Sequence, residues 1–332
     1  MTQRSLGWFA TLGCLLLGGL ACGDDEPTAD GGTDASHHQA GRGGKGGAGG
    51  GGRSGAGGRG GAGGGGGSSA AAGQAVTIRF KAKLGSEDLV CGKSYANLGA
   101  TKLSATPQDF RFFIEELHLL TGGGEKARVQ LDDRTPFQTK DVALLDFTDM
   151  RGSCSAGGAT VNTSITGTVA AGEYSGVELV IGVPESLNHQ NIALAKPPLQ
   201  DVSTYWGWAS GYRFIMAGLL VLPGGGSDPA DADGGAKPGA NVVHIGSVGC
   251  SGGNATGFSC SRPNRNRVKL DGFDADEDSI VADLAKVFEK IDLGAAVDCH
   301  GPDPECAPAY AAFGIDLESG AALDAQTVFR VE

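Results

Sequence analysis

Most of the chemistry this chain can offer sits in four histidines, two tryptophans and six cysteines. Outside the first 74 residues the histidines are His118, His189, His244 and His300. Imidazole is a common ligand for copper and zinc. An isolated histidine, however, often only completes a hydrogen bond, so none of the four is a site by itself. Trp206-Gly207-Trp208 falls between His189 and His244. Two indoles two apart on a strand share a face, which ordinarily means core.

The cysteines are Cys91, Cys154, Cys250, Cys260, Cys299 and Cys306. Their number is even, and an exported chain meets an oxidising compartment, so disulfides are the expected state. A structural zinc site would want Cys-x-x-Cys knuckles, which neither Cys250 to Cys260 nor Cys299 to Cys306 provides. The expected pairing is Cys91 with Cys154, Cys250 with Cys260 and Cys299 with Cys306, among the pairings that sequence alone leaves open.

Other chemistries find less support. No serine elbow, free thiol or carboxylate pair is expected to act as a catalyst, and the chain is read as a non-enzyme. Asp274-x-Asp276-x-Asp278 fails as an EF-hand because Ser279 replaces the turn glycine and Ala285 the bidentate glutamate. Gly92-Lys93-Ser94 fails as a phosphate loop because Glu87 stands where the first glycine belongs. A formal net charge of −12 argues against nucleic acid, which selects basic surfaces.

The elements that must position these groups read as strands. Val76, Ile78, Phe80, Ala82 and Leu84 alternate with polar partners, the period of a half-buried strand. Similar segments return at 110–120, 161–169, 177–181 and 206–222, separated by Gly, Pro and Asn turns, which points to a mainly β, antiparallel sandwich or barrel-like domain. Two stretches read as helix. Ile280, Val281, Leu284, Val287, Phe288 and Ile291 form one stripe, with Asp278 at its start and Gly294 at its end, and a shorter helix is expected over 305–313. A Gly/Asp/Ala loop is expected between Pro223 and Pro238.

At the amino terminus, Arg4 precedes the apolar run Leu6 to Leu20, and Leu20-Ala21-Cys22 places a small residue before a cysteine, as in a lipobox, with Gly19 where such boxes usually carry Leu. The run is short of the roughly 20 residues that span a bilayer. Residues 1–21 are therefore expected to be a lipoprotein signal, with lipid anchorage at Cys22. Residues 22–74 are expected to be a Gly-rich tether with a root-mean-square span of about 40 Å, and 75–332 the folded domain. The expected location is the cell envelope, periplasmic side or outer surface.

Several short motifs occur in a telling order. They are Asp109-Phe110-Arg111-Phe112-Phe113-Ile114, Leu144-Leu145-Asp146-Phe147, Gly152-x-Cys154, Gly182-Val183-Pro184-x-x-Leu187-Asn188-His189, Tyr205-Trp206-Gly207-Trp208, His244-Ile245-Gly246-Ser247-x-Gly249-Cys250, Cys260-x-x-Pro263-Asn264-Arg265, Phe273-Asp274 and Asp303-Pro304-Glu305-Cys306. Together, over about residues 76 to 316, they resemble the MbnP-like family, the metallo-mystery pair four-Cys-motif proteins. The resemblance implies a copper ion, held as Cu(I) by two histidines and a kynurenine made from an oxidised tryptophan. It also implies a di-haem partner similar to cytochrome c peroxidases, and in some members a link to methanobactin copper uptake. Carried over by position, His189 and His244 become the implied imidazole ligands and Trp206 or Trp208 the implied oxidation site. Asn191 stands where the family often has Asp, and Tyr205 where it often has Phe. His118 falls where the pattern varies. His300, inside the Cys299 to Cys306 loop, is not one of the two implied ligands but stays open as a further one, as does His118. The competing reading is a β-sandwich adhesion or glycan-binding surface module without metal, with Trp206, Trp208 and Tyr212 as its contact face.

Overall fold

The computed structural model describes residues 73–222, 239–253 and 256–332. The expected signal, the anchor Cys22, nearly all of the tether and the loop between Pro223 and Pro238 lie outside the described residues.

The chain is mainly β, as its alternation implies. Strand β1 (Gly73–Leu84) buries Val76, Ile78, Phe80 and Leu84 while polar neighbours face out. The centre is β2 (Leu103–Leu120), an 18-residue strand buried along almost its whole length. It needs that length because it serves three partners in turn. The first is β7 (Gly211–Val221), paired over Ala105 to Phe112. Next comes β3 (Ala143–Asp146), paired over Arg111 to Ile114. Last is β5 (Gly176–Ile181), paired over Ile114 to Leu120.

From this strand the larger sheet extends to β8 (Gly239–Gly246) beyond β7, and to β11 (Asn266–Asp271) beyond β5. The smaller sheet places β1 between β4 (Ser164–Ala170) and β12 (Ile280–Asp283), with β14 (Phe329–Val331) next to β12. A separate hairpin is formed by β9 (Val248–Gly253) and β10 (Gly257–Arg262). Between the two sheets the aromatic rings pack edge to face or tilted: Phe112 lies 5.8 Å from Phe110 and 5.4 Å from Phe329.

The expected helix over 278–291 is corrected. Ile280–Asp283 is strand β12, pairing in parallel with Phe80 to Lys83 and antiparallel with Phe329 to Val331. Only α2 (Leu284–Phe288) is helical, and its cap is Asp283, whose side chain accepts from the Ala285 amide. The reason is tertiary. Ile280, Val281 and Ala282 are all buried, and ladder partners on both sides satisfy their backbone, so a short apolar run that fits either period becomes strand. Asp278 instead accepts from the Asp274 amide at 2.8 Å, closing a turn. The later helix appears as α3 (Ala307–Ala312) after a 3₁₀ turn at Pro304–Cys306. A four-residue helix, α1 (Glu185–Asn188), follows β5.

All three disulfides form as expected: Cys91 with Cys154, Cys250 with Cys260 and Cys299 with Cys306. They close loops of very different length, with sequence separations of 63, 10 and 7. Loop-closure entropy then assigns about 4 kcal/mol to the first and about 2.5 kcal/mol to the last. Replacing Cys91 and Cys154 together by alanine should therefore lower the unfolding free energy in urea more than the same change at Cys299 and Cys306; equal losses would contradict this assignment.

Candidate metal centre

The site begins on one face of the central sheet. Asp146, Arg111, Met216 and His244 are direct cross-strand partners in a row across β3, β2, β7 and β8. Arg111 is 1% exposed. Such a charge is tolerable inside a protein only when paired and hydrogen-bonded. Its guanidinium holds the Asp109 carboxylate in a two-point clamp at 2.7 and 2.8 Å and also donates to Ser203 Oγ at 2.9 Å. Burial pushes the Asp109 carboxyl up, with the Arg111 bonds opposing. Arg213 donates to the Ser203 carbonyl at 2.9 Å and lies 5.9 Å from the Trp206 ring. A cavity of about 270 Å³ is bounded by Asp109, Arg111, Ser203, Arg213 and His244.

His244 is kept neutral by these surroundings. Burial, then the positive charge of Arg213 and the neighbouring His300, push its pKa down to about 3. Its Nδ1 lies 2.8 Å from Nε2 of His300, and the Nδ1 of His300 lies 2.9 Å from Oδ1 of Asp298. A carboxylate oxygen accepts, so His300 presents its Nδ1–H to Asp298, and as a neutral imidazole it offers a lone pair at Nε2. His244 Nδ1–H donates to that lone pair, which leaves His244 Nε2 without a proton.

His300 reaches this place through a short parallel pairing. The two-residue strand β13 (Asp298–Cys299) pairs with Val242 and Val243 of β8, and the buried Cys299–Cys306 bridge fixes the turn that follows. Trp206 completes the group. Strand β6 (Tyr205–Gly207) pairs with the start of β7, and the indole of Trp206 lies over Gly246 and edge-on to His300 at 6.4 Å. Gly246 is required here: a Cβ would stand 2.3 Å from the Tyr212 carbonyl oxygen and 2.6 Å from the indole.

His189 belongs to a second group. It caps the C-terminal end of α1 and is 6% exposed. Its Nδ1–H donates to the Trp208 carbonyl at 2.8 Å, so the lone pair is at Nε2. That lone pair faces the Asn188 amide nitrogen at 3.2 Å and Cys260 Sγ at 3.6 Å. The ring stacks on Phe258 at 4.1 Å. Asn188 is held in turn by the Tyr212 amide, which donates to its Oδ1 at 2.8 Å. The Trp208 side chain is 58% exposed and meets Phe258 edge-on. A cleft of about 640 Å³ opens beside His189, Ile192, Tyr205 and Trp208.

The sequence-derived pair is thus distributed between two arrangements. His244 pairs with His300 near Trp206, and His189 bonds to the backbone of Trp208. Among the described residues no hydrogen bond or ring contact joins His189 to His244. His118 joins neither: it lies on β2 opposite Arg128 and Glu178, half-buried, and burial lowers its pKa. Gly249-Cys250-Ser251-Gly252-Gly253 carries the Gly-x-Ser-x-Gly spacing, but it lies in hairpin strand β9 with Cys250 in a disulfide. It is not the strand-to-helix turn of a nucleophile elbow.

Comparison with known proteins decides the family. Residues 73–305 match the family MbnP, a span that includes both histidine groups, both tryptophans and five of the six paired cysteines. The chain belongs to the MbnP family. A solved structure, MbnP from Methylosinus trichosporium, is 26% identical, with a TM-score of 0.67, covering 78% of this chain and 98% of that one. No curated protein matches the chain. The near-complete coverage of the solved MbnP places the family's fold over the whole mainly β domain described above.

The histidine pair that sequence order did not single out is His244 with His300. The only sequence sign was that His300 directly follows a cysteine; the pairing that delivers it spans 56 residues. Because the folded value of His244 lies below its ordinary 6.5, the unfolded chain takes the proton first as pH falls. The metal-free domain should therefore lose stability as pH drops from about 6.5 toward about 3. His244→Gln should flatten that part of a urea-derived pH profile, and an unchanged slope would contradict the half-buried neutral imidazole.

Proposed function

We propose that this chain is an exported, lipid-anchored protein that binds copper as Cu(I), through imidazole nitrogens, for copper uptake or handling. It is not itself a catalyst, and it acts with a di-haem peroxidase-like partner that oxidises a tryptophan to kynurenine. The observation that carries the reading is the 2.8 Å approach of His244 Nδ1 to His300 Nε2. If His244 moves its proton from Nδ1 to Nε2, both lone pairs face one cation with no net change in charge. Cu(I) accepts imidazole donors, and burial already keeps His244 unprotonated.

The chemistry of the donors fits copper in two further ways. All six cysteines of the domain are in disulfides, so in this state no thiolate competes for the metal. Asp298 fixes the His300 tautomer, the role a carboxylate commonly plays behind a metal-bound imidazole. Trp206 is the proposed oxidation site, because its ring adjoins His300, and an opened indole supplies an aromatic amine and a carbonyl as further donors. His244 with His300 is favoured over His244 with His189, whose lone pair faces Asn188 and Cys260.

The adhesion or glycan-binding alternative draws on the exposed Trp208, Leu194 and Val202, which are 58%, 81% and 73% accessible. A Cu(I) competition titration against a chromophoric chelator separates the readings. His244→Ala and His300→Ala should each weaken affinity by at least the ~10–100-fold that the loss of a supporting residue costs, while His189→Ala leaves it unchanged. Equal affinity in all three variants would remove this pair as ligands. Protein co-expressed with the di-haem partner should carry kynurenine at Trp206 by peptide mass spectrometry, and an unmodified Trp206 in that preparation would overturn its role.

A further inference from the structure

The second histidine group holds a donor set that the copper reading does not use. The Nε2 of His189 and the sulfurs of Cys250 and Cys260 all lie within 4.8 Å of one another. We propose that this is a redox-gated site for a thiophilic d¹⁰ cation, Zn(II) or Cu(I), closed while Cys250 and Cys260 are joined and opened when a dithiol or phosphine reduces them.

Three features of the structure converge on it. Cys250 and Cys260 are direct cross-strand partners on the β9–β10 hairpin, so breaking their bond leaves two thiols facing each other at fixed register. His189 is oriented for the task. The Trp208 carbonyl holds its Nδ1–H, and the lone pair of Nε2 points to within 3.6 Å of Cys260 Sγ. Backbone carbonyls behind metal-bound imidazoles fix the tautomer in the same way. Finally, the cleft lined by His189, Tyr205 and Trp208 supplies an approach from solvent. Asn188 now donates to His189 Nε2 at 3.2 Å, a long bond that a cation would replace.

This bridge is also the one a reductant meets first. Cys250 and Cys260 are both partly exposed, whereas Cys299 and Cys306 are fully buried and the Cys91–Cys154 bridge exposes only its Cys91 side, Cys154 being 2% exposed. In the opening step a phosphine and water become phosphine oxide while the disulfide becomes two thiols, so two electrons pass to sulfur. On binding, the two thiols release their protons and the cation takes two thiolates and one imidazole, a donor set suited to Zn(II) or Cu(I).

The test uses the full chain and Co(II) as a spectroscopic stand-in for Zn(II). After mild phosphine treatment, with opening of Cys250–Cys260 alone verified by alkylation and mass spectrometry, Co(II) should give thiolate-to-metal charge-transfer absorbance. The untreated protein should show none. Cys250→Ser should abolish the signal, and His189→Ala should weaken binding by about tenfold or more. The double variant His244→Ala/His300→Ala should keep the signal in full, so loss of the copper reading and loss of this one are told apart. The proposal is overturned if the reduced wild-type protein gives no thiolate signal, if Cys250→Ser/Cys260→Ser retains it, or if the hairpin bridge resists reduction while the fold persists.

Discussion

One hydrogen bond organises the candidate centre: His244 Nδ1 to His300 Nε2, across 56 residues of chain. For it to exist, the residues just before His300 must align with the middle of β8, and Asp298 must set the tautomer of the imidazole it precedes. Remove the parallel contact of Asp298 and Cys299 with Val242 and Val243, and His244 faces a cavity lined by arginines with no second imidazole nearby. The Cys299–Cys306 bridge is therefore part of the construction of the proposed centre although its sulfurs are not among the proposed donors.

Behind that bond stands a buried electrostatic frame. The Arg111 clamp on Asp109, extended to Ser203 and Asp201, holds the segment beside Arg213, whose positive charge lies close to His244. Desolvation and those charges act in the same direction on the imidazole, toward the neutral form that a cation can use. The same charges disfavour a free metal ion at long range, so the centre depends on nearby donors to recover that cost. Under the proposed function, this arrangement would suit a singly charged ion better than a doubly charged one of similar affinity for nitrogen.

The fold was legible from sequence to the extent that its strands alternate. β1 announces itself by period two, and the cysteine count pointed to disulfides while leaving the choice among pairings to the folded chain. β12 was not legible, because Ile280, Val281 and Ala282 are apolar in succession and only their ladders with β1 and β14 choose strand over helix. At the site, the resemblance to MbnP pointed to the segments that carry His189, His244 and the two tryptophans, yet the contact of His244 with His300 could not be read from spacing. His300 arrives through a two-residue parallel pairing and a disulfide, both long-range facts of the folded chain. In the same way, nothing in the Trp206-Gly207-Trp208 run shows that one indole packs over Gly246 while the other projects toward Phe258.

The most direct test is a copper anomalous difference map from crystals of the oxidised, Cu(I)-loaded protein. One strong peak is expected between the His244 and His300 rings, within coordination distance of both nitrogens and away from every sulfur. A peak at His189 with nothing at His244, or no ordered copper at all, would contradict it.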